Sequence, residues 1–376
     1  MAPASDPIAS ATAYLASACD AEGRFAYRLH VSVPGDQSAG DYNVLRHAGA
    51  IYALDQAWRA RHDPNAEAAI RRATRYLVTH HLRPLPGAPK TRVIASRIGE
   101  ETTRPVAKLG GAGLGLVALS AAHRLDSSLV SLDELRGLAR FVLFCQREDG
   151  SFRSKRYLDA CGWSSFVSLY YPGEAILGLL RLYALDPDPA WLVAAARAAA
   201  FLVLSRVDIP ASKLPHDHWL LIAGSELLPL WSELRSSPVP AAAVRRHLDR
   251  LATLFLDVQA EIRAVGRYPG SFHHSGSVCP SATRLEGLVA YSSLPATSPG
   301  APLRPRLLAG IKLGARFLKA SQLQLPARPD LCGAFPRGLL EGDDDAAGKR
   351  GEVRVDFTQH SLSALLGAAG LETTRR

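Results

Sequence analysis

The chain has 376 residues, 47% of them hydrophobic and 21% charged, with a formal net charge of +9. That apolar content supports a large core and excludes disorder as the dominant state. The longest uncharged apolar stretch, Leu109 to Ala122, is rich in glycine and alanine and too short to span a bilayer. The length fits two to three domains or one large closed architecture. The excess of Lys and Arg leans toward anionic ligands, but the arginines are scattered rather than blocked, so nucleic acid is not an expected partner.

The N-terminal residues lack a basic n-region, and Asp6 precedes any apolar stretch, so a secretory signal is not expected. Cys19, Cys145, Cys161, Cys279 and Cys332 form no CxxC pair and read as reduced thiols. A cytoplasmic protein is the expectation.

In chain order, two kinds of helical segment alternate. Ile8 to Ala18 is amphipathic, and Val44 to Leu54 is almost free of charge beyond its first turn. The amphipathic Ala66 to His81 and the apolar Leu109 to Leu119 follow, then Leu132 to Arg147 and Ala175 to Leu180. Trp191 to Arg206 and Trp219 to Ser225 repeat the pattern, as do Ala241 to Arg263 with Leu285 to Tyr291, and Arg304 to Gln322 with Ser361 to Leu366. In the amphipathic segments apolar residues recur at three- and four-residue steps, as in Leu135, Leu138, Phe141, Val142 and Cys145. A helix apolar all round is buried on all sides. Six repeats at a spacing of roughly 60 residues, longer than the common solenoid periods, predict an all-α (α/α)6 toroid in one domain, 1–376. A solenoid of helix pairs is the competing layout.

A second periodicity places Gly, a small or polar residue and Phe after amphipathic helices: Gly23-Arg24-Phe25, Gly150-Ser151-Phe152, Gly270-Ser271-Phe272 and Gly333-Ala334-Phe335. Glycine permits the left-handed turn after a helix, and the aromatic packs back. The clearest copy, Gln146-Arg147-Glu148-Asp149-Gly150-Ser151-Phe152, resembles the Q-rich, Gly-aromatic repeats of terpene cyclases and other (α/α)6 proteins. The resemblance spans the chain as architecture and points to a superfamily: six-hairpin glycosidases, sugar epimerases and terpene-cyclase-like helical barrels.

Each apolar helix is expected to open on a polar cluster. Asp41, Asn43, Arg46 and His47 open the first, and Lys108 the second. Tyr171 and Glu174 open the third; His216, Asp217 and His218 the fourth, followed by Trp219. Thr283, Arg284 and Glu286 open the fifth; Asp356, Gln359 and His360 the sixth. Asn43, Arg46 and His47 stand at i, i+3 and i+4, and Asp356, Gln359 and His360 repeat that spacing. Polar side chains on apolar helices are costly unless hydrogen-bonded or wet, so the pattern predicts one polar chamber. Capping explains Asn43, Asp217, Thr283 or Asp356 taken singly, and the helix dipole favours an acid at Glu174 and Glu286. Neither explains His or Arg in an apolar stretch.

His216-Asp217-His218, with Cys279 or Cys161, raises zinc, but His-x-His spacing without a thiol signature is weak, and neither metal nor cofactor is expected. The glycines from Gly110 to Gly115 lack a P-loop Lys and read as packing. Lys90 to Arg104 and Asp343 to Asp345 read as exposed connections over a cavity mouth.

Sugar-processing (α/α)6 enzymes, as the resemblance implies, place carboxylates and histidines at inner-helix starts around a saccharide-sized cleft. The preferred reading is therefore a glycoside hydrolase acting on a small saccharide or oligosaccharide. Glu174, Asp217, Glu286 and Asp356 supply the acid and base that inversion requires. Arg46, Arg284 and Lys108 would favour an anionic sugar such as a uronate. Tyr42, Tyr170, Trp163 and Trp219 offer stacking surfaces. The alternative is a sugar epimerase or isomerase in which His47, His218 and His360 move protons with Arg46, Arg284 and Glu286. Asn43, Asp41, Tyr171 and Gln359 complete the substrate-binding candidates. Terpene-cyclase-like chemistry and non-catalytic glycan or peptide binding rank behind.

Overall fold

The computed structural model describes residues 6–36, 41–295, 303–341 and 348–373; the Asp343 to Asp345 run lies outside the described residues. Among the described residues twelve α-helices alternate as the periodicity predicts. They are α1 (Pro7–Ser17), α2 (Val44–Arg61), α3 (Pro64–His81), α4 (Leu109–Leu125), α5 (Leu132–Cys145) and α6 (Tyr171–Tyr183). Then come α7 (Pro189–Leu204), α8 (His218–Leu227), α9 (Ala241–Val265), α10 (Val278–Ser292), α11 (Leu303–Ser321) and α12 (Val355–Thr373). None is long and apolar enough to cross a membrane among the described residues.

The chain divides into two compact units. A central unit comprises the described residues within 40–48 and 74–254; a terminal unit comprises those within 1–39, 49–73 and 255–376. In the central unit α4, α6 and α8 pack side by side in that order, with α5 against α4 and α7 against α6. Helix α4 is buried from Leu109 through Ala122, and its glycines let two backbones touch. A Cβ on Gly113 would stand 2.6 Å from the Glu174 carbonyl oxygen, and one on Gly178 would stand 2.5 Å from the Gly113 carbonyl oxygen. In the terminal unit α10 packs on α12, with α11 against α10 and α1 against α12.

The all-α expectation needs one correction. Among the described residues six short strands form two antiparallel sheets, and the fold is mostly rather than wholly helical. β1 (Arg28–His30) pairs with β6 (Glu352–Arg354) in the terminal unit. β2 (Leu82–Leu85), β3 (Ala88–Ser96), β4 (Val106–Lys108) and β5 (Lys155–Tyr157) form a four-stranded sheet in the central unit. Lys90 to Arg104, read above as an exposed connection, is thus strand as far as Ser96 and irregular beyond it. Val93, Ile94 and Ala95 are buried and β3 lies against α5; the surrounding charges mask this apolar run in the sequence.

The Gly-x-Phe repeats have one geometry. Gly23, Gly150, Gly270 and Gly333 carry φ of 93°, 90°, 92° and 89°, and Phe25, Phe152, Phe272 and Phe335 are buried. A side chain on Gly150 would be strained by its φ and would also press on the Arg197 carbonyl of α7. A glutamine ties each of three turns to the next amphipathic helix. Gln146 Nε2 donates to Ala194 O (2.9 Å), Gln259 Nε2 to Gly270 O (3.0 Å) and Gly310 O (3.1 Å), and Gln322 Nε2 to Pro7 O (2.8 Å) and Gly333 O (3.1 Å). Gln259→Leu, which strands two carbonyls in the terminal unit, is expected to cost about 2–4 kcal/mol in urea unfolding; a change inside about 0.5 kcal/mol would contradict this role.

The scattered arginines also acquire a structural reason. Arg72 donates to the carbonyls of Cys19 and Asp20 just past α1. Arg197 reaches Glu148 O (2.6 Å) past α5, and Arg250 reaches Arg206 O (3.2 Å) and Val207 O (3.3 Å) past α7. Each guanidinium binds carbonyls of the turn that follows a preceding helix, on the side of that helix's negative end.

Candidate functional site

The central unit gathers most of the candidates around the starts of α2, α4, α6 and α8. Asn43 Oδ1 accepts from Leu45 N (2.9 Å) and so caps α2. Its Nδ2 donates to Glu101. Glu101 also accepts from Ser96 Oγ (2.8 Å) and forms an ion pair with Lys108 Nζ. Lys108 ends β4 and precedes α4; burial pushes its pKa down, and Glu101 opposes that shift. Glu101 is absent from the sequence candidates because nothing local marks it: it lies in an irregular segment, and only the sheet brings it to Lys108.

His47 is buried. Its Nδ1 lies 2.7 Å from Tyr42 Oη, and its ring stacks on Tyr76 with centroids 5.3 Å apart. This is the geometry of a satisfied core histidine. Arg46 is half-buried and close enough to Tyr171 to counter the burial that raises that phenol's pKa. Asp41 sits at the surface before α2.

Glu174 lies in the first turn of α6, 5% exposed, with its carboxyl over Gly110 of α4 and beside the Tyr171 ring. Its Oε2 has no hydrogen-bond partner among the described residues. Burial, with a smaller contribution from the Asp217 charge, raises its pKa to about 8, so it is mainly a neutral acid at pH 7. Asp217 is fully buried and occupied on both oxygens: Oδ1 caps Leu220 N (3.0 Å), and Oδ2 takes Arg206 Nη1 (2.8 Å). Burial raises its pKa while Arg206 pulls it down. His218 is buried between the Tyr170 and Trp219 rings at 5.1 and 5.2 Å.

The terminal unit holds the remaining candidates. His360 Nδ1 lies 2.6 Å from Glu286 Oε2, both buried, where α12 meets α10. Burial raises the Glu286 pKa, opposed by His360 and by a hydrogen bond from Ser363. With Nδ1 as donor to the carboxylate, Nε2 carries the imidazole lone pair. Gln359 Nε2 stands 3.5 Å from that Nε2. Asp356 is clamped by Arg354 through two bonds of 2.9 and 2.8 Å. Arg284 donates to the Phe272 carbonyl.

Two placements differ from the sequence expectation. Helix α10 begins at Val278, so Thr283 and Arg284 lie in its second turn and Glu286 in its third, and Thr283 Oγ1 bonds Pro280 O (3.1 Å) instead of capping. Asp356 is the second residue of α12 and pairs with Arg354. Both helices start early because the turns before them are β-bridged: Ser277 with Gly338, and β6 directly before α12. No group of three or more His, Cys, Asp or Glu side chains is gathered as metal ligands among the described residues. None of the five cysteines is joined in a disulfide.

No protein-family model and no curated protein sequence matches the chain. Solved structures do. The chain is similar to D-mannose isomerase over 97% of its length and 96% of that chain, with TM-score 0.68 and 12% identity. It is similar to cellobiose 2-epimerase from Spirochaeta thermophila over 98% and 95% of the two chains (TM-score 0.65, 16% identity). For an unsaturated glucuronyl hydrolase specific for heparin the shares are 98% and 97% (TM-score 0.63, 12% identity). The fold is that of the (α/α)6 toroid sugar-active enzymes. At these identities the likeness establishes fold, and chemistry must come from the side chains.

Proposed function

We propose that the protein is a carbohydrate-active enzyme that interconverts small neutral sugars by proton transfer, as an isomerase or epimerase. His360 is the base and Glu286 the carboxylate that orients it. The observation that carries this reading is the buried 2.6 Å pair between His360 Nδ1 and Glu286 Oε2. A carboxylate on Nδ1 fixes the tautomer that leaves Nε2 basic and stabilises the imidazolium formed when it takes a proton. The carbon acid suited to that base is the C–H next to a sugar carbonyl. Loss of that proton to His360 gives an enediolate; a proton delivered to the adjacent carbon, with the hydroxyl proton passing between the two oxygens, completes an isomerisation, and a proton delivered to the opposite face of the same carbon completes an epimerisation. D-mannose isomerase and cellobiose 2-epimerase, which share the fold, support this order of preference.

The hydrolase reading moves to second place because two of its four carboxylates are occupied, Asp217 by Arg206 and Asp356 by Arg354. One observation favours keeping it: Glu174, held neutral with an oxygen that has no partner among the described residues, is fit to protonate a leaving group. A neutral sugar is preferred to a uronate because Lys108 and Arg284 are engaged by Glu101 and the Phe272 carbonyl, and several surface arginines close helix ends.

The test is product analysis after incubation with D-mannose, D-fructose, D-glucose and cellobiose, alongside oligosaccharides. Interconversion with no new reducing ends supports proton transfer. Release of reducing ends that survives His360→Asn and is lost in Glu174→Gln supports hydrolysis instead.

A further inference from the structure

Gln359 is 3% exposed on α12, beside the base of the proposed reaction. Its amide occupies the space over Gly49 of α2 that a side chain there would fill. One end of the amide has a role: Nε2 faces His360 Nε2 at 3.5 Å, and only a donor is compatible with an imidazole lone pair. The other end does not. Oε1 is buried and has no hydrogen-bond partner among the described residues. A buried carbonyl oxygen without a donor is costly, and such orphaned groups call for a functional or structural reason.

We infer that Gln359 is a substrate-positioning residue whose Oε1 accepts a sugar hydroxyl next to the carbon deprotonated by His360. The inference rests on the proton-transfer reading above. The amide is packed over Gly49 and its nitrogen faces His360, which together set where its oxygen lies. A hydroxyl bound there is tied to the position of the base, and the weak Nε2 contact to His360 is given up when the substrate C–H approaches the lone pair. The ligand chemistry is therefore a polyhydroxy chain or ring presenting an O–H donor beside the reacting carbon.

The experiment compares Gln359→Met, Gly49→Ala and His360→Asn with the wild type, using D-mannose and cellobiose as probes. Met keeps the apolar volume and removes both polar ends; the methyl group added by Gly49→Ala pushes the amide aside without altering it chemically. A neutral hydrogen bond made equally in ground and transition states predicts a KM about 3–10-fold higher with kcat little changed in Gln359→Met. Gly49→Ala moves KM in the same direction. Unchanged KM in both variants, with His360→Asn inactive, overturns the role of Gln359 and leaves the proton-transfer reading standing. Full activity of His360→Asn overturns the reading itself. If Gln359→Met fails to fold, KM in Gly49→Ala decides: a rise supports the inference, and a wild-type value refutes it.

Discussion

Replacing His360 with Asn is expected to lower kcat on an accepted sugar by about 10²–10⁴-fold, the range a positioned general base contributes. The Asn amide can still donate to Glu286, so the buried carboxylate keeps a partner and the melting transition survives. What disappears is the Nε2 lone pair. Glu286→Gln tests the other half of the pair: it keeps the shape but cannot stabilise the imidazolium, so kcat falls while circular dichroism stays native. Wild-type rates in both variants would contradict the assignment of the base.

Between about pH 5 and 8, Glu174 is expected to make the protein less stable as pH rises. Its pKa is 4.5 in an ordinary environment and about 8 in the folded chain. Across that interval the folded state holds a proton that the unfolded state has released, so the slope of stability with pH is negative. The stabilisation is fully present below the ordinary pKa and is lost as pH climbs through the folded one. A shift of that size corresponds to on the order of 5 kcal/mol. Other groups titrate in the same window, so the measurement is the difference between wild type and Glu174→Gln in urea at several pH values. Gln is neutral throughout and nearly isosteric with the protonated acid. The wild type should lose stability relative to the variant as pH rises from about 5 to 8. Parallel curves would show that Glu174 titrates normally.

The helical order was legible because burial leaves a mark on composition. Leu109 to Ala122 carries no charge, and α4 is buried over that stretch. The Gly-x-Phe copies were legible because a left-handed turn needs glycine, and all four carry positive φ. Two further bridging glutamines, Gln259 and Gln322, both stand 11 residues before their glycines, where the Gln146 copy stands four before Gly150, so the short Gln-to-Gly spacing of that copy does not reveal them.

The sequence marked residue types at the candidate site without their partners. Asp217 and Asp356 read as potential acids, yet each is held by an arginine that no local pattern connects to chemistry. Arg206 closes an amphipathic segment, and Arg354 sits on a three-residue strand. His360 and Glu286 are 74 positions apart, and only the packing of α12 on α10 shows that they form a pair. Glu101 stayed hidden for the same reason: its partners come from β3, β4 and the residue before α2.

The most direct test of the account is solvent isotope incorporation. Wild-type protein is incubated in D2O with D-mannose, D-glucose, D-fructose and cellobiose, and the sugars are examined by proton NMR for loss of the signal beside the carbonyl carbon. Deuterium is expected at that carbon in an interconverted sugar, and none with His360→Asn. Exchange that persists in His360→Asn, or cleavage of a glycosidic bond with no exchange in any sugar, would contradict this expectation.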